Sequence, residues 1–381
     1  MRRDMTAHLE HQFDRQGELG QEASVIKLSV KTLTPIWTGG SSGQVDRVHE
    51  TGILGSLRWW MEVLARGVGG RVCDPSQGTC RFDAERYEKS KATEDHQRLR
   101  DAGLCDVCQV FGATGWRRKF RLSLHQESDL KNAKISSEVR LNNRQYSDSK
   151  ANQRTPTWYF RDPISSHSQP NTPKEGTLGV EIWSLDSSFN PNIIAGLMQF
   201  IADWGALGAR AQMGFGVIQL TGDRVNMQTL YDWLIARTGN ETYPTLPSLR
   251  NIFLARISPS DDQQQFTEQS PFILKYDLRR LFADNQALRH FIMGTVKGQR
   301  IAAKVKMSRP YNNQIRLWGW IPEKAGEYLN SWNREKIVNT IYQHLNEKYR
   351  LQLWRGMNPT SNKDTMRKDA LDFLQELFSG A

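Results

Sequence analysis

The sequence predicts a mixed α+β fold built as two lobes, with residues 25–224 in the first and residues 245–381 in the second. Strand-like and helix-like segments alternate along the chain, and residues 225–245, which are predicted to hold a helix and a Pro-bounded linker, divide it. The 381 residues are enough for two domains, and 12 Trp, 15 Phe and 10 Tyr supply large side chains for their cores. We therefore expect two folded lobes rather than a disordered chain.

The first lobe is predicted to start after residues 1–24, a polar segment that we expect to be a mobile tail. β-Branched residues alternate over residues 25–36, which predicts a strand. A Gly/Ser-rich loop then leads into residues 52–66, where apolar side chains recur at helical spacing and predict a buried helix face. This face consists of Ile53, Leu57, Trp60 and Leu64.

The rest of the first lobe completes a recognisable order of elements. Strands are predicted at residues 119–124, 178–183 and 217–220. Asn190 and Pro191 provide an N-cap and a first-turn proline for a helix that ends near Trp204. The stretch 142–176 shows no periodicity and is either disordered or a functional loop. An order of strand, helix, long insertion, strand, helix and strand indicates a ferredoxin-like lobe.

The second lobe is also predicted to be α+β. We expect strands at residues 252–257 and 315–321 and helices at residues 277–293, 334–350 and 363–378. The longest apolar stretch, residues 193–209, is interrupted by Gln199 and Asp203, so no membrane span is expected. The N-terminal residues have no apolar core typical of a secretory signal, and we expect a cytoplasmic protein.

The charge distribution predicts a polyanionic partner. The chain has 51 Lys and Arg against 41 Asp and Glu, and its net charge is +10. A net charge of +8 falls within residues 275–316, where only Asp277 and Asp284 are acidic. The bases there are Lys275, Arg279, Arg280, Arg289, Lys297, Arg300, Lys304, Lys306, Arg309 and Arg316, and a second run comprises Arg117, Arg118, Lys119 and Arg121. Nucleic acid is the partner class that such runs favour.

All four cysteines lie in the polar insertion of the first lobe. The set is Cys73, Cys80, Cys105 and Cys108. In an intracellular chain, a Cys-x-x-Cys end is more typical of metal binding or redox chemistry than of a structural disulfide. We predict a structural zinc site with four thiolate ligands, which leaves no open position for catalysis. Free thiols are the alternative.

A glycine-rich turn, residues 205–216, is the second candidate site. Gly208, Gly214 and Gly216 allow close backbone approach, and Arg210 adds a charge for a phosphate group. Any tight connection from a helix to a strand would use glycines as well. The turn partly matches the central strand motif of RNA-recognition domains, but it lacks the aromatic residues that stack on bases.

Two further patterns each allow a functional and a structural interpretation. Arg58, Glu62 and Arg66 are spaced four apart, so they form either an ion-pair ladder on a helix or a phosphate-binding face. His49 and Glu50 could act as an acid–base pair in RNA cleavage, although a loop histidine near a helix cap is the simpler interpretation. The sequence contains no Walker A, zincin or deaminase spacing.

Three sequence blocks resemble the RAMP superfamily of CRISPR proteins and, within it, the subunit-one family of the type III-B Cmr effector complex. The blocks are residues 51–60 (TGILGSLRWW), residues 105–116 (CDVCQVFGATGW) and residues 208–216. Residues 294–297, 308–311 and 317–322 also fit that family. The resemblance covers roughly residues 25–325.

The resemblance implies two ferredoxin-like (RRM-like) lobes that face each other across a basic cleft. It implies a place at the crRNA 3′ end, beside other Cmr complex subunits, where the protein holds crRNA and helps to capture target RNA. It implies neither catalysis nor a small-molecule substrate, because both nucleolytic and cyclase activities belong to other subunits. The expected RNA-facing residues are Arg58, Trp59, Arg66, Arg117, Arg118, Arg210, Lys304, Lys306 and Arg309.

Two alternatives stay open. Some RAMP proteins cut CRISPR RNA without a metal, which here would need His49 or His125 beside Arg210. The chain could instead be a scaffold whose basic surface binds acidic neighbouring subunits.

Overall fold

The computed structural model describes residues 24–380, except for residues 40–44, 79, 127–128, 137, 148–149, 161–171, 297, 299, 324–331, 359 and 361–368. The predicted mobile tail, apart from Ser24, lies outside the described residues. So do parts of the predicted 142–176 loop and the start of the predicted 363–378 helix.

The first part of the chain contains six helices and ten strands among the described residues. In chain order they are β1 (Val25–Thr32), α1 (Glu50–Gly67), α2 (Ala84–Lys89), α3 (Asp95–Asp101), α4 (Asp106–Phe111), β2 (Phe120–Gln126), β3 (Lys131–Asn132), β4 (Glu138–Arg140), β5 (Tyr146–Ser147), β6 (Gln153–Arg154), β7 (Thr157–Tyr159), β8 (Lys174–Glu175), β9 (Thr177–Ser184), α5 (Asn192–Trp204), β10 (Ile218–Thr221) and α6 (Gln228–Ile235).

The second part contains β11 (Ile252–Ser258), α7 (Ser270–Arg280), α8 (Gln286–Met293), β12 (Val305–Met307), β13 (Ile315–Trp320), α9 (Arg334–Lys348), β14 (Arg350–Gly356) and α10 (Ala370–Ser379). The predicted mixture of helices and strands in both parts is confirmed. Among the helices described, none has the length and apolar character that crossing a bilayer requires.

Each part is centred on a four-stranded antiparallel sheet. The first sheet has the order β10–β1–β9–β2, and the second has the order β12–β13–β11–β14. In both sheets, the first and third strands along the chain are central and helices follow each of them. This arrangement keeps sequence-distant strands adjacent while the helices cover the sheet.

The helices bury the apolar residues that the sequence pattern identifies. In α1, the predicted face is buried: Ile53, Leu57, Trp60 and Leu64 are each at most 2% exposed. In β9, Val180 and Ile182 are buried, whereas Glu181 between them pairs with Lys27 and His125. The period-two alternation of a strand produces this separation.

The second part differs from the prediction at three points. The predicted helix 277–293 is two helices, α7 and α8, which are separated at residues 281–285. Strand β12 has only three residues, too few for a clear periodic pattern. Strand β14 follows α9 directly and is not predicted from the sequence; only its first residue, Arg350, falls within the predicted helix 334–350.

The last helix returns to the first part of the chain. The Trp204 indole N–H donates to the Leu377 carbonyl oxygen at 3.0 Å, and the Phe200 and Phe378 rings are 5.8 Å apart. Contacts also run from the 131–175 excursion to α7, where Arg144 forms two hydrogen bonds with Asp277 at 3.2 Å. The two sheets are therefore linked by several segments.

Candidate nucleic-acid interface and cysteine cluster

The glycine-rich turn lies where the two lobes meet. The Gly208 N–H donates to Ser56 Oγ at 2.8 Å, and the Ala209 N–H donates to the Trp37 carbonyl at 2.6 Å. From the second lobe, the Arg309 N–H donates to the Gly214 carbonyl at 3.0 Å. We call this region the lobe junction: residues 205–216 with Lys275, Lys306, Arg309 and Arg316.

The glycines of the turn are required by close backbone packing. Gly214 has a φ of +89°, and a Cβ there would lie 2.5 Å from the Arg309 amide nitrogen. A Cβ on Gly216 would lie 1.9 Å from the Leu207 carbonyl oxygen, and one on Gly208 would lie 2.5 Å from the Trp37 carbonyl oxygen. Such contacts exclude any side chain. The structure thus accounts for these glycines by packing, and their predicted phosphate contact stays a prediction.

Two cations at the junction stack on tryptophan rings. Arg210, held in the left-handed region with a φ of +57°, has its Cζ 3.9 Å from the centroid of Trp37. Lys306 Nζ lies 4.5 Å from the centroid of Trp59, whose ring packs edge-on against Trp60. Both cations are half-buried. The pairs flank the turn and place cations beside aromatic surface.

Buried lysines of the second lobe have carbonyl oxygens and rings as partners. Lys275 Nζ donates to the Gln212 carbonyl at 2.8 Å, and Lys304 Nζ donates to the Phe291 carbonyl at 3.0 Å. Desolvation lowers the pKa of Lys275, Lys304 and Lys306 to about 8 each. No carboxylate within the described chain forms an ion pair with these three lysines.

Two arginines of the basic segment are internal. Arg316 is 5% exposed and donates to the carbonyls of Ala202 and Gly205, at the end of α5. Arg309 is 8% exposed and forms an ion pair with Glu268 at 2.9 Å. Arg309 and Lys304 are both buried with intramolecular partners, and their contact with RNA stays a prediction.

The 117–121 run offers one exposed arginine near its start. Arg117 is exposed and donates to the Leu185 carbonyl at 3.2 Å. Arg118 is half-buried, donates to the Phe120 carbonyl at 2.7 Å and lies over the Phe120 ring. Arg117 can therefore reach a ligand more readily than Arg118.

The three charged residues of α1 form a ladder in which Glu62 and Arg66 are buried and Arg58 is half-buried. Arg58 Nε is 3.1 Å from Glu62 Oε1, and Arg66 Nη2 is 3.1 Å from Glu62 Oε2. Arg66 is 2% exposed and also donates to the carbonyls of Pro247 and Cys73 at 3.1 Å. The ion-pair interpretation of this spacing is confirmed. The Arg66 side chain is enclosed, and its contact with RNA stays a prediction.

The four cysteines converge on one point. The Sγ atoms of Cys73, Cys80, Cys105 and Cys108 all lie within 4.8 Å of one another, and all four thiols are free. The Cys73 and Cys108 Sγ atoms are 3.8 Å apart. A tetrahedral site with Zn–S bonds of about 2.3 Å has sulfur–sulfur distances of about 3.8 Å. The cluster therefore fits a tetrathiolate metal site.

Donors surround the sulfur atoms. The amides of Cys105 and Cys108 point at Cys80 Sγ and Cys105 Sγ, at 3.3 and 3.4 Å. Arg58 Nη2 donates to Cys108 Sγ at 3.0 Å, and the contact of this arginine with RNA stays a prediction. A hydrogen bond with the Cys105 thiol lowers the pKa of Cys73 to about 7. Hydrogen bonds with the same neighbouring thiols raise the pKa of Cys108, so the four thiols share their protons unequally.

The cysteine-bearing helix α4 is held by a buried carboxylate. Asp106 is fully buried, accepts two hydrogen bonds from Arg100 at 2.7 Å and accepts another from the Arg71 amide at 2.9 Å. This residue fixes the orientation of α4 against the start of the insertion.

The profile of the RAMP superfamily matches residues 29–219, which is half of the chain. The chain belongs to the RAMP superfamily. The match includes α1, all four cysteines and the glycine-rich turn, whereas the second-lobe cations lie beyond it.

Solved structures similar to this RAMP protein include two from Cmr systems. Cmr1 from Pyrococcus furiosus is 15% identical, with 84% of this chain and 97% of that chain covered and a TM-score of 0.43. A chain of the type III-B Cmr-beta bound to cognate target RNA and AMPPnP is 12% identical, with 85% and 100% covered and a TM-score of 0.41. No curated protein matches the sequence.

The histidines of this RAMP protein differ in their surroundings. His49 Nε2 is 2.6 Å from Asp46 Oδ1, and the His49 amide donates to Thr38 Oγ1 at 2.9 Å. Thr38 follows Trp37, the residue on which Arg210 stacks. His125 instead pairs with Glu181 on the first sheet. Of the two histidines, His49 has the demonstrated link to the junction.

Sequence reasoning missed Trp37 and Lys275 as junction residues. Trp37 carries a signal, since it follows the predicted end of β1 and precedes the Gly/Ser loop. Lys275 was counted only as one base among ten, and nothing local shows that its partner is the carbonyl of Gln212.

Proposed function

We propose that this RAMP protein is a non-catalytic RNA-binding subunit of a type III-B CRISPR (Cmr) effector complex. In this proposal it lies at the crRNA 3′ end, beside other Cmr subunits, where it holds crRNA and helps to capture target RNA in the cytoplasm. Each lobe is a ferredoxin-like unit, in agreement with the shared strand order of the two sheets. The observation that carries the proposal is that Lys275 and Lys306 at the junction form no ion pair with a carboxylate of the described chain.

These cations favour a polyanion for an electrostatic reason. A positive charge in a partly desolvated site attracts phosphate more strongly than one in water, because the dielectric screening is weaker. Lys306 and Arg210 are half-buried beside Trp59 and Trp37, so a phosphate and a stacked base could be bound together. Contacts of this kind do not depend on base sequence, as a subunit holding a guide requires.

The test is binding of the purified full-length chain to labelled single-stranded RNA over a salt series. We expect the logarithm of the affinity to fall linearly with the logarithm of salt concentration, and Lys306→Met to reduce this slope by about 0.7. Lys348→Met is the matched control, because Lys348 is an exposed lysine at the end of α9 and its loss changes the net charge equally.

The outcomes separate the alternatives. Equal effects of Lys306→Met and Lys348→Met would contradict a role for the junction. Intact RNA without any binding would favour the scaffold function instead. Cleaved RNA would favour catalysis.

A metal-independent endoribonuclease is the second candidate function. The specific observation in its favour is that His49 and Arg210 contact the adjacent residues Thr38 and Trp37. The Asp46 carboxylate could orient the His49 ring for proton transfer. Cleavage of CRISPR repeat RNA in the presence of a chelator, lost in His49→Ala and retained in His125→Ala, would support this activity.

We also propose that the cysteine cluster holds a structural zinc ion. Cys73, Cys80, Cys105 and Cys108 would be its ligands, and the ion would cross-link an insertion with little apolar core of its own. Elemental analysis of the purified chain should give about one zinc per molecule, as expected for a four-thiolate site. Cys105→Ser should lower the zinc content sharply, and an unchanged content in this variant would contradict the ligand set.

A further inference from the structure

The charge ladder of α1 connects the cysteine cluster to the segment that joins the two lobes. We define the interlobe linker as residues 237–251, between α6 and β11. At one end of the ladder, Arg58 Nη2 donates to Cys108 Sγ at 3.0 Å. At the other end, Arg66 Nη1 donates to the Pro247 carbonyl at 3.1 Å. Glu62 bridges the two arginines through its two carboxylate oxygens.

A second set of contacts binds the linker to the start of the cysteine insertion. The Gly239 and Glu241 amides donate to the carbonyls of Val68 and Gly69, at 3.1 and 3.2 Å. The Tyr243 hydroxyl accepts from the Val72 amide and donates to the Gly70 carbonyl, at 2.7 and 2.8 Å. The linker therefore lies on residues 68–72, directly before the first cysteine of the cluster.

The packing between these segments leaves no free space. A Cβ on Gly67 would lie 2.2 Å from Leu249 Cβ, and a Cβ on Gly69 would lie 2.1 Å from the Gly239 carbonyl oxygen. Arg250 Nε also donates to the Gly67 carbonyl at 2.9 Å. Because buried packing of this density does not deform continuously, a change at the insertion alters the linker.

Zinc bound by four thiolates carries a net charge of −2, which a half-buried site must offset. Arg58 is the cation whose side chain touches a cluster sulfur atom in the described part of the chain. Arg66 touches the cluster from the main-chain side, through the Cys73 carbonyl. The ladder therefore contacts the cluster twice, through the Cys108 sulfur and through the Cys73 main chain.

We propose that metal binding at the cysteine cluster is coupled to the order of the interlobe linker through Arg58, Glu62 and Arg66. Arg58 is a positioning residue for the metal, since it orients and neutralises the Cys108 thiolate. Arg66 transmits the state of the cluster to Pro247. This inference rests on the zinc site proposed above, and it adds that zinc fixes the connection between the lobes.

The first test measures zinc affinity by chelator competition in the full-length protein. Loss of an outer contact of this kind typically costs 10–100-fold in metal affinity, and we expect a decrease of about that size for Arg58→Gln. Arg58→Lys, which keeps the positive charge, should lose less. Arg71→Gln is the control, because Arg71 is an exposed arginine of the same insertion whose side chain donates to the Arg100 carbonyl.

The second test follows hydrogen exchange at the Gly239 and Glu241 amides. Removing zinc from the wild-type protein with a chelator should speed their exchange by about tenfold or more. In Arg66→Met, zinc should still bind, but the two amides should exchange rapidly whether or not zinc is present. This dissociation of binding from linker order distinguishes coupling from general unfolding.

Each contrary result has a defined meaning. Equal zinc affinities for Arg58→Gln and Arg71→Gln, or linker exchange unaffected by zinc removal, would overturn the coupling while the zinc site stands. A purified chain that binds no zinc would overturn both the site and the coupling. RNA binding by the junction is measured separately and depends on neither result.

Discussion

Arg58 and Arg66 in α1 share a carboxylate partner, whereas Lys275, Lys306 and Arg316 at the lobe junction have carbonyl oxygens and aromatic rings as partners. In the ladder, Glu62 is 6% exposed and neutralises part of the charge of Arg58 and Arg66. At the junction, Lys275 and Arg316 donate to main-chain carbonyls, and Lys306 lies over a tryptophan. A carbonyl satisfies a donor without cancelling its charge. The ladder is therefore a closed structural unit, and the junction retains a positive field.

The comparison shows that a basic residue in the sequence can serve either the fold or an anionic ligand. Both regions appear in the sequence as arginines and lysines at moderate spacing, and both suggest contact with phosphate. The structure separates them by the identity of their partners. A paired cation contributes to the fold, and an uncompensated cation near the surface remains available for an anionic ligand.

The largest loss of stability is expected when the carboxylate of the ladder is removed. Glu62→Ala leaves Arg66 buried without its counter-charge, so the free energy of unfolding should fall by about 3–5 kcal/mol. Urea denaturation with excess zinc measures this change. Glu85→Ala is the control, because the Glu85–Lys89 pair is exposed and should contribute less than about 0.5 kcal/mol. Similar losses in the two variants would contradict the assignment of the ladder as a buried unit.

A smaller effect is expected from pH, and three lysines of the second part of the chain contribute to it. The pKa values of Lys275, Lys304 and Lys306 are lowered to about 8 in the folded state, below the unfolded value of 10.5. Above pH 8 the unfolded chain binds more protons than the folded one, so stability should rise with pH, by roughly 1–3 kcal/mol. Urea denaturation between pH 7.5 and 9.5 tests this rise. In that range the ionisation of Tyr349 does not yet affect stability.

Tyr349 sets the upper limit of that window. Burial raises the pKa of Tyr349 to about 12, above the unfolded value of 10, so its contribution falls as pH rises beyond 10. A stability that stays constant or decreases from pH 7.5 to 9.5 would contradict uncompensated lysines at the junction.

The smallest effect is expected for Lys275→Met. Removing an uncompensated buried charge offsets the loss of its hydrogen bond to Gln212, so the free energy of unfolding should change by less than about 1 kcal/mol. The same variant should weaken the rise of stability with pH. A loss as large as that of Glu62→Ala would show that the junction lysine is a structural pair like those of the ladder.

The sequence predicts the α+β architecture well because long amphipathic segments show a clear local periodicity of apolar residues. The apolar stripe of α1 and the alternation in β9 depend on local periodicity, and both are found. Strand β12 was missed because its pairing with β13 is a long-range effect that three residues do not encode. Helices α2 and α3 likewise lack a recognisable apolar face, because α2 has no buried residue and α3 has only Leu99.

The sites were predicted less evenly. The four cysteines form one cluster, as their residue type and the Cys-x-x-Cys spacing indicate. The spacing of four residues predicts the Glu62 contacts of Arg58 and Arg66, but the other partners of Arg58 and Arg66 and those of Lys304 and Arg309 depend on distant contacts. The chain separates Arg66 from Pro247 by 181 residues, and no local pattern records that contact.

Proton uptake on RNA binding tests the central claim most directly. Isothermal titration of the full-length protein with single-stranded RNA at pH 8, in HEPES and in Tris, reports the number of protons linked to binding. Phosphate near the junction should raise the lowered pKa of Lys306, so the wild-type protein should take up protons and Lys306→Met should take up fewer. RNA binding with equal heats in the two buffers would contradict phosphate recognition by the uncompensated lysines.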